Sequence, residues 1–161
     1  MRLIHVVTAA ALALLAVPAA AASLSSSDAD YLKTAIQIQN GRYAMASYEA
    51  QHGSGAAKKL AASIQSQAAQ DARRLQKIAK QYGITPDKGL LIQDKYHYSK
   101  LVGTNGSEAK QRFQRELRIS DDINKYTYKQ EMKEGQNGTL KSHAKQRYAA
   151  VQQELKKLKG S

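Results

Sequence analysis

Apolar residues recur along most of the chain at the three- and four-residue spacing of an amphipathic helix. The clearest run steps alternately by four and three residues from Ala57 to Tyr82, like the seam of a four-helix bundle. Three further segments share this period, with apolar positions at Leu32, Ile36, Tyr43, Ala46 and Ala50; at Ala109, Phe113, Leu117, Ile123 and Tyr126; and at Leu140, Ala144, Tyr148, Val151, Leu155 and Leu158. No segment alternates apolar and polar residues as a strand would. The pattern therefore predicts an all-α protein.

Capping and turn residues separate the four segments. Ser27 and Thr139 are predicted N-caps of the first and last helices, and Ser107 is a predicted cap of the third. Gly83 is predicted to end the second helix in a left-handed conformation, because Ile84 and then Pro86 follow it. Tight turns are predicted at 53–55 and 135–138.

Residues 84–107 form a predicted connector between the second and third helices. Leu90, Leu91, Tyr98 and Leu101 make it too apolar for a solvated linker. We expect a packed segment, with or without a short helix, that crosses one end of the bundle. The predicted fold is an antiparallel four-helix bundle with this long packed connector.

The N-terminus has the three parts of a secretory signal peptide. Met1-Arg2 gives a positive start, 6–17 is almost wholly apolar, and Ala20-Ala21-Ala22 offers a small-residue cleavage site. The apolar run is shorter than the roughly 20 residues that span a bilayer. We expect cleavage after Ala22 and a periplasmic or secreted protein. The predicted organisation is a signal peptide at 1–22, a polar leader at 23–27 and a bundle domain at 28–159.

Composition excludes several kinds of chemistry. The 161 residues include no Cys, so disulfides, iron–sulfur clusters, thiolate zinc sites and cysteine nucleophiles are absent. No glycine-rich phosphate loop and no nucleophile–base–orienter set stands in the sequence. We therefore expect a non-enzymatic protein without a cofactor.

The order of these signals resembles a known family. A Ser-Asp-Ala-Asp-Tyr-Leu opening leads to a Gly-Ser-Gly break, an Ala-rich second helix ending Tyr-Gly-Ile-Thr-Pro, and a final Asn-Gly-Thr-Leu-Lys-Ser-His-Ala turn. Over 28–158 the chain resembles the exported bacterial domain-of-unknown-function family 4142. The resemblance implies a ferritin-like four-helix bundle of the periplasm or outer envelope, without a settled activity.

The resemblance also implies an ancestral metal site that this chain has lost. Typical members carry a Glu on the first helix and His on the later ones. The corresponding positions here are Arg42, Ala68, Lys125 and Glu154.

Two acid–histidine pairs and one isolated acid are the remaining metal-ligand candidates. Glu49-x-x-His52 and Asp94-x-x-His97 have the spacing that places two ligands on one helix face. Asp71 falls on the apolar seam, either as a buried acid or metal ligand or as a seam-edge carboxylate that is solvated or paired with a base such as Arg74. We favour the structural interpretation in each case, and expect His143 to be half-exposed.

Positive charge is the strongest functional signal, because the formal net charge is +12. The second and last helices each carry a large excess of bases, and such a field attracts anionic polymers and surfaces. The alternative is a basic surface that serves solubility alone. The candidate anion-binding residues are Lys77, Lys80, Lys141, Lys145, Lys156, Lys157 and Lys159.

Three hypotheses for the function follow. The first is a basic envelope protein that binds an anionic membrane surface, an envelope polymer or an acidic protein partner. The second is a divergent ferritin-like metal or redox protein. The third is a periplasmic chaperone-like binder with a cleft at the connector. An export signal argues against nucleic acid as the partner, although the charge would suit it.

Overall fold

The computed structural model describes residues 23–159, so the predicted signal peptide lies outside the described residues. The fold is all-α, as expected, and the described part contains no strand beyond an isolated bridge between Gly53 and Gly106. There are four long helices and one short helix in this range. They are α1 Ser26–His52, α2 Gly55–Gln81, α3 Ile92–Ser99, α4 Gly106–Glu134 and α5 Gly138–Lys159.

Contacts between helix ends give the direction of each helix in the bundle. The side chain of Asp28, at the start of α1, accepts hydrogen bonds from the amides of Gln136 and Asn137, which follow α4. At the other end, Gly53 after α1 pairs with Gly106 at the start of α4. Helices α1 and α4 are therefore antiparallel, and each forms a hairpin with the helix joined to it by a tight turn, α2 and α5.

The connector must consequently return the chain along the whole length of the bundle. It does so beside α1: Asn40 donates to the carbonyl of Lys88, and Tyr48 donates to the carbonyl of Thr104. Helix α3 lies within it and packs against α1 and α4. Leu101 of this segment is buried, but the expected crossing at one end is wrong, because α2 and α4 run parallel.

The apolar core is divided into two clusters by a polar level. One cluster is centred on Leu32, Ile36 and Tyr128, and the other on Met45, Phe113 and Leu117. Between them along α1 and α4 lie Arg42 and Asp121, both buried.

The predicted stripes agree with the structure on α2 and over the first half of α4, where Ala109, Phe113 and Leu117 are buried, and fail on α4 beyond Leu117. Ala57, Ala61, Ile64, Ala68 and Leu75 are buried as predicted. On α4 the buried face continues past Leu117 through polar residues, while Ile123 and Tyr126 are exposed. The prediction assigned the apolar residues to the buried face. The helical phase of α4 instead places Ser120, Asp121 and Asn124 inside.

All three predicted N-caps are displaced. Ser107 lies inside α4, whose N-cap position is Asn105. Ser25, not Ser27, caps α1 by accepting a hydrogen bond from the amide of Asp28. Asn137, not Thr139, caps α5 through its side-chain oxygen. Gly83 has the predicted left-handed backbone, with φ of 66°, and Ile84 donates to the carbonyl of Ala79 as in a Schellman motif.

Within residues 23–159, none of the helices combines the length and the apolar character needed to cross a membrane.

Gly41→Ala tests how closely α3 packs on α1. In an open helix, alanine would be favoured over glycine by about 1 kcal/mol. Here a Cβ at Gly41 would lie 2.5 Å from Asp94 Oδ2, so we expect a loss of about 1–3 kcal/mol in the free energy of unfolding. Urea unfolding measures the change. Gly138→Ala is the control, since nothing lies within 4 Å of a Cβ there; a Gly41→Ala protein as stable as the control would contradict the packing.

Candidate functional site

The centre of the bundle holds a buried cation shared by two carboxylates. Arg42 on α1 donates Nη1 to Asp121 on α4 and Nη2 to Glu154 on α5, and all three residues are buried. Burial opposes the charge of Arg42, but Asp121 and Glu154 together raise its pKa, so the guanidinium stays protonated. Arg42 therefore joins three helices by charge-assisted hydrogen bonds.

A second polar group fixes α3 against α4. Asp94 Oδ1 accepts a hydrogen bond of 2.8 Å from Ser120 Oγ, and His97 Nδ1 lies 2.9 Å from Glu116 Oε2. Burial raises the pKa of Asp94 to about 6, although Ser120 and His97 act in the opposite direction. The predicted Asp94–His97 pair is thus buried, but its members bind different α4 residues.

Asp71 belongs to a third polar group, between α2 and α5. Its Oδ2 lies 3.3 Å from Arg147 Nε and 3.7 Å from His143 Nε2, while His143 Nδ1 lies 2.7 Å from the hydroxyl of Tyr31. Burial would raise the pKa of Asp71, but His143 and Arg147 lower it. Asp71 is therefore the base-paired carboxylate that we favoured, with Arg147 instead of Arg74 as its ion-pair partner. The expectation of a half-exposed His143 is wrong, because its ring closes this group inside the bundle.

The Glu49–His52 pair does not converge. Glu49 is buried, with neither carboxylate oxygen hydrogen-bonded within the described structure, and burial raises its pKa. His52 is exposed and stacks on Tyr48 at 4.3 Å between ring centroids. No group of three or more His, Asp or Glu side chains in 23–159 is placed to hold a metal ion.

Asp28 and Glu131 interact with each other at the end of the bundle where α1 begins and α4 ends. Burial would raise the pKa of Asp28, but hydrogen bonds from Ser25, Asn137 and Gln136 lower it. For Glu131, burial and the neighbouring Asp28 raise the pKa to about 8. The two carboxyls therefore share a proton at neutral pH, with Glu131 as its holder.

These groups place acids inside and bases outside. Seven of the chain's 13 Asp and Glu residues are buried, whereas among the described Lys and Arg side chains only Arg42 and Arg147 are. The only acid on α2, Asp71, and the only acid on α5, Glu154, have 19% and 11% of their side chains exposed. Both face the interior partners already described, so bases dominate the outer surfaces of these two helices.

The predicted anion-binding lysines lie on that outer surface. Lys77 and Lys80 on α2 are exposed, as are Lys145, Lys156 and Lys157 on α5. Lys141 is half-buried, and the side chain of Lys159 lies outside the described part.

Sequence reasoning missed the interior polar groups. Arg42, Asp121 and Glu154 are each surrounded by ordinary polar residues in the sequence, and their partners lie 79 and 112 positions away. A signal was available in the helical phase: on α4, Asp121 stands four residues after Leu117, on the same face.

Comparison with known proteins gives a structural neighbour. The fold is similar to that of a DUF305 fragment from Deinococcus radiodurans, with a TM-score of 0.77 and 11% sequence identity over 86% of this chain and 97% of that chain. This likeness shows the fold alone. No protein-family model and no curated protein sequence matches the chain.

The resemblance to family 4142 is therefore wrong, since the neighbour is a different domain-of-unknown-function family. The motifs behind it mark helix ends, which unrelated helical bundles share. The positions aligned with the lost ligands have structural roles instead. Arg42 and Glu154 form the central ion pair, Ala68 is in the core, and Lys125 pairs with Asp122 at 2.7 Å on α4.

Arg42→Met tests the central ion pair. Removal of the cation leaves Asp121 and Glu154 buried without it, so we expect a loss of about 3–5 kcal/mol in the free energy of unfolding. Urea unfolding of the wild type and the variant measures this loss. The triple variant Arg42→Met, Asp121→Leu, Glu154→Met removes all three charges and should recover most of the stability. A triple variant no more stable than Arg42→Met would contradict this assignment.

Glu131→Gln tests the shared proton. With its pKa raised from 4.5 to about 8, Glu131 keeps in the folded state a proton that the unfolded chain releases. The resulting stability is complete below pH 4.5 and is lost as the pH rises to about 8. Glutamine still donates to Asp28 but does not titrate. The free energy of unfolding of the variant should therefore fall less than that of the wild type as the pH rises from 4.5 to about 8. The urea midpoint of unfolding, measured across this pH range, reports the change, and Glu134→Gln at an exposed position is the control. An equal dependence of the midpoint on pH in Glu131→Gln and in the wild type would refute the shared proton.

Proposed function

We propose that this protein is a non-enzymatic binding protein for anionic material of the bacterial envelope, and that α2 and α5 present the binding surface. The observation that carries the proposal is the separation of charge between interior and exterior. Because seven of the acids are buried, few carboxylates stand on the surface to compete with an anion for the exposed bases.

The electrostatic consequence is a field that favours anionic partners. An exposed Lys or Arg near an anionic surface contributes about 1 kcal/mol, and salt screens the interaction. Lys77, Lys80 and Lys145 stand on helices whose two acids are engaged in the interior. Their attraction to an anion is therefore little reduced by neighbouring carboxylates on the same helices.

The proposal includes a location and a finer description of the fold. A bundle of two helical hairpins joined by one long crossover is the topology of ferritin-like proteins. The connector beside α1 supports that description. The N-terminal apolar run and small-residue site support export to the periplasm or beyond.

The other two hypotheses have less geometric support. The candidate metal ligands Glu49 and His52 point to different surroundings. The connector, where a cleft would serve a chaperone-like binder, packs on α1 and buries Leu101. Of the three hypotheses, the anion-binding function therefore has the most geometric support.

The test is retention of residues 23–161 on an anionic polysaccharide matrix, together with sedimentation with anionic and zwitterionic vesicles. This fragment contains all five helices and both core clusters. We expect retention and sedimentation with anionic vesicles, both abolished by high salt. The triple variant Lys77→Glu, Lys80→Glu, Lys145→Glu should lower the affinity at least about tenfold, since it reverses three surface charges.

A matched variant separates the α2–α5 surface from net charge. Lys33→Glu, Lys95→Glu, Lys133→Glu makes the same change of charge with exposed lysines on α1, α3 and α4. It should retain most of the affinity. Equal losses in the two triple variants would reject a localised surface, and no binding by the wild type would reject the function.

A further inference from the structure

The outer surface between α4 and α5 contains a groove with an apolar floor and a basic rim. Its volume is about 370 Å³. The apolar lining comes from Ile119 and Ile123 of α4 and Leu155 of α5, and cations from Arg118, Lys125 and Lys156 stand beside them. The acid at the rim, Asp122, pairs with Lys125 at 2.7 Å. The groove therefore combines apolar area with excess positive charge.

The amphipathic character continues one turn further along α4. Tyr126 is 72% exposed and Ile123 is 42% exposed. The ammonium of Lys129 lies 6.0 Å from the ring centroid of Tyr126 and 5.6 Å from that of Tyr148 on α5. Aromatic rings beside basic side chains are typical of the interface between a bilayer and water.

We infer that this groove docks on an anionic phospholipid bilayer, with lipid phosphates at Arg118 and Lys156 and with Ile123 and Tyr126 inserted among the lipids. The inference rests on the proposed function and names its partner. Lys156 belongs both to this groove and to the basic surface of α2 and α5.

Two observations favour a bilayer over other occupants. An anionic polysaccharide would pair with the basic rim but would gain nothing from exposed Ile123 and Tyr126. A second copy of this chain would bring another strongly positive protein, since the formal net charge is +12. A bilayer supplies anionic phosphates and apolar depth together.

A tryptophan reporter tests insertion directly, because the chain contains no Trp. Ile123→Trp places the reporter at the groove. Ile92→Trp places it on α3 at another exposed isoleucine, which is 87% exposed. With anionic vesicles, we expect a shift of emission to shorter wavelength from position 123 and none from position 92. Sedimentation of the Ile123→Trp protein with vesicles but without a shift would overturn the inference, as would equal shifts at both positions.

A matched pair of variants provides a second measurement that leaves the charge unchanged. Ile123→Ser, Tyr126→Ser removes the inserting side chains, and Ile92→Ser, Tyr96→Ser removes the same residue types from α3. The first should lower the affinity for anionic vesicles about tenfold, because two apolar side chains lose their burial. The second should bind as the wild type does. Circular dichroism confirms that each variant folds.

Polysaccharide retention separates failure of this inference from failure of the proposed function. Ile123→Ser, Tyr126→Ser should be retained as strongly as the wild type, since its charge is intact. If the wild type binds the polysaccharide but not the vesicles, the bilayer inference is wrong and the anion-binding function stands. If it binds neither, both fail.

Discussion

The central ion pair of Arg42 with Asp121 and Glu154 is the constraint on which the bundle depends. A guanidinium without water requires anionic partners at hydrogen-bond distance, and here they come from α4 and α5. This requirement fixes the register of three helices at once, since a shift by one turn would separate the charges. The apolar clusters on either side tolerate single exchanges of similar volume, whereas the ion pair tolerates only the exchange of all three residues together.

The same constraint connects the interior to the surface. Acids that neutralise buried Arg42 and Arg147 face the interior instead of the exterior. The exterior then has few carboxylates among its bases, although the net charge is unchanged. Interior pairing and the proposed binding surface are in this sense two results of one distribution of charge.

Sequence reasoning succeeded where short-range physics decides the structure. The seam from Ala57 to Leu75 and the left-handed Gly83 depend on neighbours within a few residues. It failed where the interior is polar: Ile123 and Tyr126 were placed inside because they are apolar, although Asp121 and Asn124 occupy the buried phase of α4. The helical phase could have placed Asp121 inside, but its pairing with Arg42 could not be found from the sequence, because the two residues lie 79 positions apart. The basic helices were identified correctly, but the burial of their acids required the structure.

The separation of Arg42 and Glu154 along the chain has a consequence for folding during synthesis. Arg42 emerges from the ribosome long before its second partner, which lies 112 residues later. Until α5 is complete, closure of the bundle would bury the guanidinium with only one of its two carboxylate partners. This delay disfavours early packing of the α1–α2 hairpin against α4. The buried faces of α1 and α4 therefore complete their polar contacts only when α5 joins them.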